Sequence, residues 1–258
     1  MDSDAINACA ALVHKGDPDR FLAAMAAPVA ARGPLFVLAA FNLELARAPW
    51  VTREPLLARM RLQFWRDVVS GEGPAAHEVA APLRVLIASA ALPADLLVGL
   101  IDAREGEIGT QAPFATEAAL LDYLRATAGG LLALSVLALG GPRSDAVLDL
   151  GQAQGMANYL AAVPALQAAG RQALPEATPQ AIAGLARSGL ARLDAARPGL
   201  REVPPPARPA LLAAWRARPL LKRALARPEG VVTQGLGQSE FTRRGSLVLH
   251  GSLNWLQY

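Results

Sequence analysis

Apolar residues return every three or four positions along almost the whole chain, and this spacing predicts helices rather than strands. Asp17-Pro18-Asp19 reads as a helix start, with Phe21, Leu22, Met25 and Val29 as the apolar stripe before a break at Gly33-Pro34. A second helix follows from Pro34 to about Arg47. Its sequence, PLFVLAAFNLELAR, is apolar on nearly every face, as a central helix surrounded by others must be. Thr52-Arg53-Glu54-Pro55 begins a third through about Val69, with Leu56, Met60, Phe64 and Val68 four residues apart.

After the Ser70–Pro74 loop, further helices are expected over about Glu78–Ala91, from Pro93 to about Glu107, over about Thr116–Leu139 and over about Ser144–Ala161. The Thr116 helix carries Gly129-Gly130 in its apolar interior, at a cost of roughly 1 kcal/mol per Gly relative to Ala. Either the close approach of a neighbour or a simple kink accounts for the pair. Segments at about Pro179–Arg197 and Pro209–Ala226 flank REVPPPARP, a connector too short to separate domains and read as a stiff turn. Beyond it, Glu229 to Gly245 is Gly-rich, and the chain closes on the aromatic HGSLNWLQY.

Composition agrees with an all-α fold. Of 258 residues, 53% are hydrophobic but only 5% aromatic, and Ala and Leu dominate, so the core is built from helix formers. One domain, residues 1–258, is the expectation. The formal charge of +3, carried almost entirely by Arg with Lys15 and Lys222 the only lysines, is too small to imply nucleic acid. A weakly basic face meeting anionic lipid or a protein stays open.

Cys9 is the only cysteine and His14, His77 and His250 lie far apart, so no Cys/His metal spacing exists, and a reducing cytoplasm is expected. The N-terminus carries acids where a secretory signal carries Lys or Arg, and the Gly-flanked run from Ala128 to Pro142 reads as a buried helix rather than a span.

Few residues carry an obvious chemistry. Gly235-Leu236-Gly237 lacks the third Gly and the strand of a dinucleotide fold, and no P-loop or nucleophile elbow occurs. Asp145 and Asp149, at i and i+4, are either a minimal Mg²⁺ pair or acids placed at a helix start. Glu44, within the most apolar helix, requires a cation, and Arg61 or another helix arginine is the expected partner unless Glu44 meets a ligand. Asp102, Arg104, Glu105 and Glu107 read as local ion pairs at a helix end or the rim of a polar cavity.

Four segments in order resemble the squalene/phytoene synthase family. LFVLAAFNLELARAPW resembles the first motif region, and RMRLQFWRDVVSG the helix bearing Arg and Trp. LDYLRATAGGLLALSVLALG is similar to the helix lining the prenyl channel, and GQAQGMANYLAAVPALQAAGRQALP resembles the second motif region. The resemblance implies an isoprenoid-synthase-like helical bundle around a central cavity, with Phe41, Glu44, Tyr123, Gly129, Gly130, Gln154 and Asn158 as candidates for contacting a ligand.

Active members of the family hold Mg²⁺ and a diphosphate with aspartates from both motif regions. Here the first motif's acids correspond to Ala46, Arg47 and Trp50 and the second's to Ala162 and Leu166, while Asn158, Gly170, Arg171 and Pro175 are retained. The resemblance therefore implies no catalytic residue, no metal ligand and no cofactor.

FNLELA, MRLQFW, IDARE, GQAQG and the closing Trp255 and Tyr258 resemble a narrower subgroup, the family's complex I assembly factors and their bacterial relatives. That likeness implies respiratory-complex subunits as partners and peripheral contact with the inner membrane. Arg208, Arg216, Arg218, Lys222, Arg223 and Arg227, interleaved with Leu211, Leu212, Trp215, Leu220 and Leu221, form either a basic lipid-facing surface or an ordinary bundle helix. The alternative is a prenyl-diphosphate transferase or an isoprenoid-binding protein that uses Glu44, Asp102 or Glu105 and, if catalytic, Mg²⁺.

Overall fold

The computed structural model describes residues 2–73 and 76–237, and among them every regular element is helical. The all-α expectation is met. Twelve α-helices occur among the described residues: α1 (Ser3–Gly16), α2 (Pro18–Ala26), α3 (Val29–Arg47), α4 (Pro55–Ser70), α5 (Ala80–Ala90), α6 (Ala94–Asp102), α7 (Glu117–Leu124), α8 (Gly130–Ala138), α9 (Asp145–Ala168), α10 (Pro179–Leu200), α11 (Ala217–Ala226) and α12 (Pro228–Thr233). A π-helical turn, Arg125–Gly129, joins α7 to α8. The chain divides into two compact units, one of Met1–Thr110, Gly130–Arg143 and Val203–Ala213, the other of Gln111–Gly129, Ser144–Glu202 and Ala214–Tyr258.

In the first unit α3 is the central rod. Phe36 to Phe41 are all buried, which the unbroken apolar run requires, and α1, α2, α5, α6 and α8 pack around it. Its neighbours supply Leu62 and Trp65 from α4, Leu83 from α5, Ile101 from α6 and Leu131 and Leu134 from α8 to one continuous core. The N-terminal residues, read above only for targeting signals, form α1 and bury Cys9 and Val13.

The break expected at Gly33-Pro34 lies instead at Ala27-Pro28, where Ala27 is extended (φ −74°, ψ 155°) as a residue before proline prefers. Pro34 sits inside α3. A helix-interior proline costs about 3 kcal/mol, which burial of the rod on nearly all sides offsets. Pro164 also lies inside a helix: the one expected to end at about Ala161 continues as α9 to Ala168.

The second unit is built on α9, whose residues Leu150 to Ala157 are all buried, with α7, α10, α11 and α12 packed against it. Thr116 and Thr178 begin α7 and α10 by accepting the amide N–H groups of Ala119 and Ala181 at 3.1 and 3.2 Å. The π turn crosses α9 closely: a Cβ on Gly129 would lie 2.9 Å from the Leu148 carbonyl oxygen, and one on Gly155 2.7 Å from the Ala128 Cβ. Of the two explanations for Gly129, close approach is the one observed.

Two further expectations change. The helix expected from Pro93 to Glu107 ends as α6 at Asp102, with a 3₁₀ turn over Glu105–Glu107. Arg208–Ala214 is likewise a 3₁₀ segment rather than the start of an α-helix. Its Leu211 and Leu212, and Trp215, Leu220 and Leu221 after it, are all buried, so they offer lipid no apolar face. Arg208 bonds the Val203 carbonyl and Arg218 pairs with Asp194, as in an ordinary bundle. α3 and the Glu117–Ala138 segment are long and apolar enough to cross a membrane, yet 56% and 61% of them is buried, as in core helices. The Gly-rich stretch beyond Gly237 and the aromatic tail lie outside the described residues.

Candidate functional site

The first motif region is the end of α3 and the turn after it. Glu44 is half-buried rather than enclosed, and its arginine is Arg47, one turn on at 3.6 Å, not Arg61. Glu44, Arg47 and Ala48 line a groove of about 570 Å³ together with Val51, Thr52, Leu57, Met60, Arg61, Phe64, Trp65 and His77. Trp65 meets His77 edge-on at 5.2 Å, and Phe64 lies 5.5 Å from the same ring. The imidazole is held in place by accepting the Val79 N–H on Nδ1 at 3.1 Å. Phe41 lies beneath, fully buried, with its ring against Trp65 at 5.3 Å.

Trp50 has a different role. Its indole N–H donates to Glu107 at 3.2 Å, and the other Glu107 oxygen pairs with Arg104 at 3.1 Å. Arg104 also donates to the Asn42 amide oxygen at 3.4 Å. Glu107 and Arg104 are each only 8% exposed, so this charge pair is compensated internally. Asp102 and Glu105 are both held by Arg66, at 2.6 and 3.1 Å. Burial alone would lower the Arg66 pKa, but the two carboxylates raise it and keep it charged. The sequence placed these acids at a helix end but not Trp50 among them, because that partnership spans 57 positions.

In the second unit Tyr123 rests on Phe114 at 4.8 Å, and Phe114 also meets Tyr159, whose hydroxyl donates to the Ala173 carbonyl at 2.8 Å. On α9, Gln154 is buried and Asn158 is exposed. Asp145 and Asp149 are bridged by Arg125, at 2.9 and 2.7 Å, and Arg192 also reaches Asp149. One arginine bridging both carboxylates favours the helix-start reading of the pair over the metal one. A cavity of about 250 Å³, lined by Thr116, Glu117, Leu120, Leu174, Pro175, Glu176, Ile182 and Leu185 among others, was not foreseen. No motif marks it, because its walls come from separate segments.

The donor set for a magnesium–diphosphate complex fails at each replaced position. Ala46, Ala162 and Leu166 have no donor atom, Arg47 is a cation, and the Trp50 indole only donates a hydrogen bond. Among the described residues no three His, Cys, Asp or Glu side chains are grouped to hold a metal.

With this fold and these motif regions, the chain belongs to the squalene/phytoene synthase family, a prenyltransferase family, whose profile its residues 13–183 match. It superposes on squalene synthase HpnC from Alicyclobacillus acidocaldarius with a TM-score of 0.72 at 19% identity, covering 88% of this chain and 94% of that one. A dehydrosqualene synthase crystallised with a ligand gives 0.77 at 16% identity, over 95% and 94%. At these identities the likeness is one of fold.

In sequence the chain is similar to NADH dehydrogenase (ubiquinone) complex I, assembly factor 6 of Homo sapiens, 30% identical over 162 residues, 60% of this chain and 48% of the relative. The Drosophila melanogaster homolog is 33% identical over 184 residues, 65% and 52% of the two chains. The chain thus spans about half the length of these relatives.

Proposed function

We propose that this chain is a non-catalytic member of its family that assists assembly of respiratory complex I, working at the periphery of the membrane in which that complex is built. Its partners in this reading are subunits of the complex, and it needs no cofactor. The observation that carries the reading is the replacement of motif acids by Ala46, Arg47, Trp50, Ala162 and Leu166. Trp50 is moreover engaged by the buried Glu107–Arg104 pair. Similarity to proteins named as complex I assembly factors supplies the setting.

Affinity purification of a tagged copy from respiring cells, followed by mass spectrometry, tests the partner. Complex I subunits enriched over an untagged control are the expected result, and their absence counts against the reading. Incubation with farnesyl or geranylgeranyl diphosphate and Mg²⁺ tests the non-catalytic part. No pyrophosphate is expected; its release with a new hydrocarbon would establish the transferase alternative, and binding without turnover would assign an isoprenoid-carrier role.

A further inference from the structure

α4 carries two apolar stripes, and only one is used by the fold. Ala58, Leu62, Trp65 and Val68 face the core and are buried. Leu56, Leu57 and Met60 form the second stripe and are 68%, 49% and 58% exposed, leading to the half-buried Phe64. Positions i, i+1, i+4 and i+8 share one face, the arrangement by which a helix packs on another helix. Leu57, Met60 and Phe64 also line the groove that contains Trp65 and His77, and Val51, 52% exposed, adds to its apolar lining.

Cations predominate around this stripe: of the acids beside it, Glu44 is paired with Arg47 and Glu54 precedes the helix. Successive helix residues point about 100° apart, so Arg59 and Arg61 stand on either side of Met60. Both are exposed, as is Arg53 just before the helix, and none of the three has an ion-pair partner among the described residues. Other arginines of the same unit, Arg20, Arg66 and Arg143, are each paired with an aspartate. A bilayer is flat and does not reach aromatic side chains inside a concavity, whereas the ridge of a helix does.

We propose that this groove docks an amphipathic helix of a partner polypeptide, with apolar residues along its contact ridge and carboxylates on its flanks to meet Arg53, Arg59 and Arg61. This deepens the assembly reading, on which it rests for the origin of the helix, by naming the docking site and the chemistry of the partner.

The probe is a synthetic helical peptide of about 20 residues, long enough to be helical alone, with Leu at i, i+3, i+4 and i+7 and Glu on the flanks, beside a counterpart flanked by Lys. Fluorescence anisotropy with the full chain is expected to show the Glu peptide binding at least about tenfold more tightly, with the preference shrinking as salt rises. The double variant Leu57→Gln/Met60→Gln, at exposed positions, is expected to keep its Tm and lose about tenfold in affinity. Arg59→Glu/Arg61→Glu reverses the preference.

Equal binding of the two peptides, or binding that both variants leave unchanged, overturns the proposal. So does variant-sensitive binding to phosphatidylglycerol vesicles without peptide binding, which assigns the face to a bilayer, or a dimer that the variants dissociate, which assigns it to a second copy. Complex I subunits that still co-purify with the Leu57→Gln/Met60→Gln variant would remove the groove and leave the assembly reading. Peptide binding without any co-purifying subunit would do the reverse.

Discussion

The indole N–H of Trp50 donates to the carboxylate of Glu107 across 3.2 Å, at a position where active relatives of this family are expected to carry an acid. The buried glutamate is thereby shared between a neutral donor and Arg104. This arrangement differs in kind from a metal site, because the carboxylate's charge partner, Arg104, is a cation the protein itself supplies.

Substitutions around this pair should separate stability from function. Trp50→Phe removes one donor and is expected to cost about 1 to 3 kcal/mol, the penalty of an under-satisfied buried acceptor. Glu107→Ala removes the carboxylate that the buried Arg104 pairs with and is expected to cost about 3 to 5 kcal/mol. Trp50→Asp, which restores the family's acid, sets a second carboxylate against Glu107 and is expected to lower Tm without creating Mg²⁺ affinity. Urea denaturation and Mg²⁺ calorimetry read the three variants.

Gly129 and Gly130 are adjacent, yet their alanine variants should behave differently. Alanine gains about 1 kcal/mol of helix propensity over glycine at either position. At Gly129 the new Cβ meets the Leu148 backbone oxygen at 2.9 Å, and α9 must move, so a net loss of about 1 to 3 kcal/mol is expected. At Gly130 the clash, 2.7 Å, is with Cδ1 of Leu100, a side-chain end that turns aside, so the net change should lie within about 1 kcal/mol of zero. Paired denaturation curves distinguish them.

Burial pushes the Cys9 thiol up to about 11, and the charge of Glu78 adds to the effect. Below about pH 9 the thiol is protonated in both the folded and the unfolded chain, and nothing changes with pH. Between about 9 and about 11 the unfolded chain releases a proton that the folded one keeps, so stability falls as pH rises. Tm measured from pH 8 to 11 should decline less in Cys9→Ala, whatever its Tm at neutrality. Native protein should also resist thiol reagents until it unfolds.

Arg125 bridges Asp145 and Asp149 in a setting that is partly exposed. Its truncation to Ala is expected to cost no more than about 1 kcal/mol, and half a molar salt should reduce the difference. A large loss, or stabilisation of the variant by Mg²⁺, would show that the two aspartates do more than anchor the start of α9.

The sequence alone determined the all-α class, the central position of the α3 rod and the replacement of the motif acids. Each is written in residues a few positions apart: spacing at the helical period, an unbroken apolar run, or an alanine where chemistry needs a carboxylate. Tertiary structure decided the rest. Leu56, Met60, Phe64 and Val68 predicted the helix but not the buried face, since α4 has two apolar stripes and its neighbours cover the one through Leu62 and Trp65. Pro34 looked like a break because the cost of a proline is local, whereas the burial that outweighs it comes from other helices. That Glu44 pairs with Arg47 and Glu107 with Trp50 could not be read either, because a charged or polar side chain takes whichever partner packing brings within 4 Å.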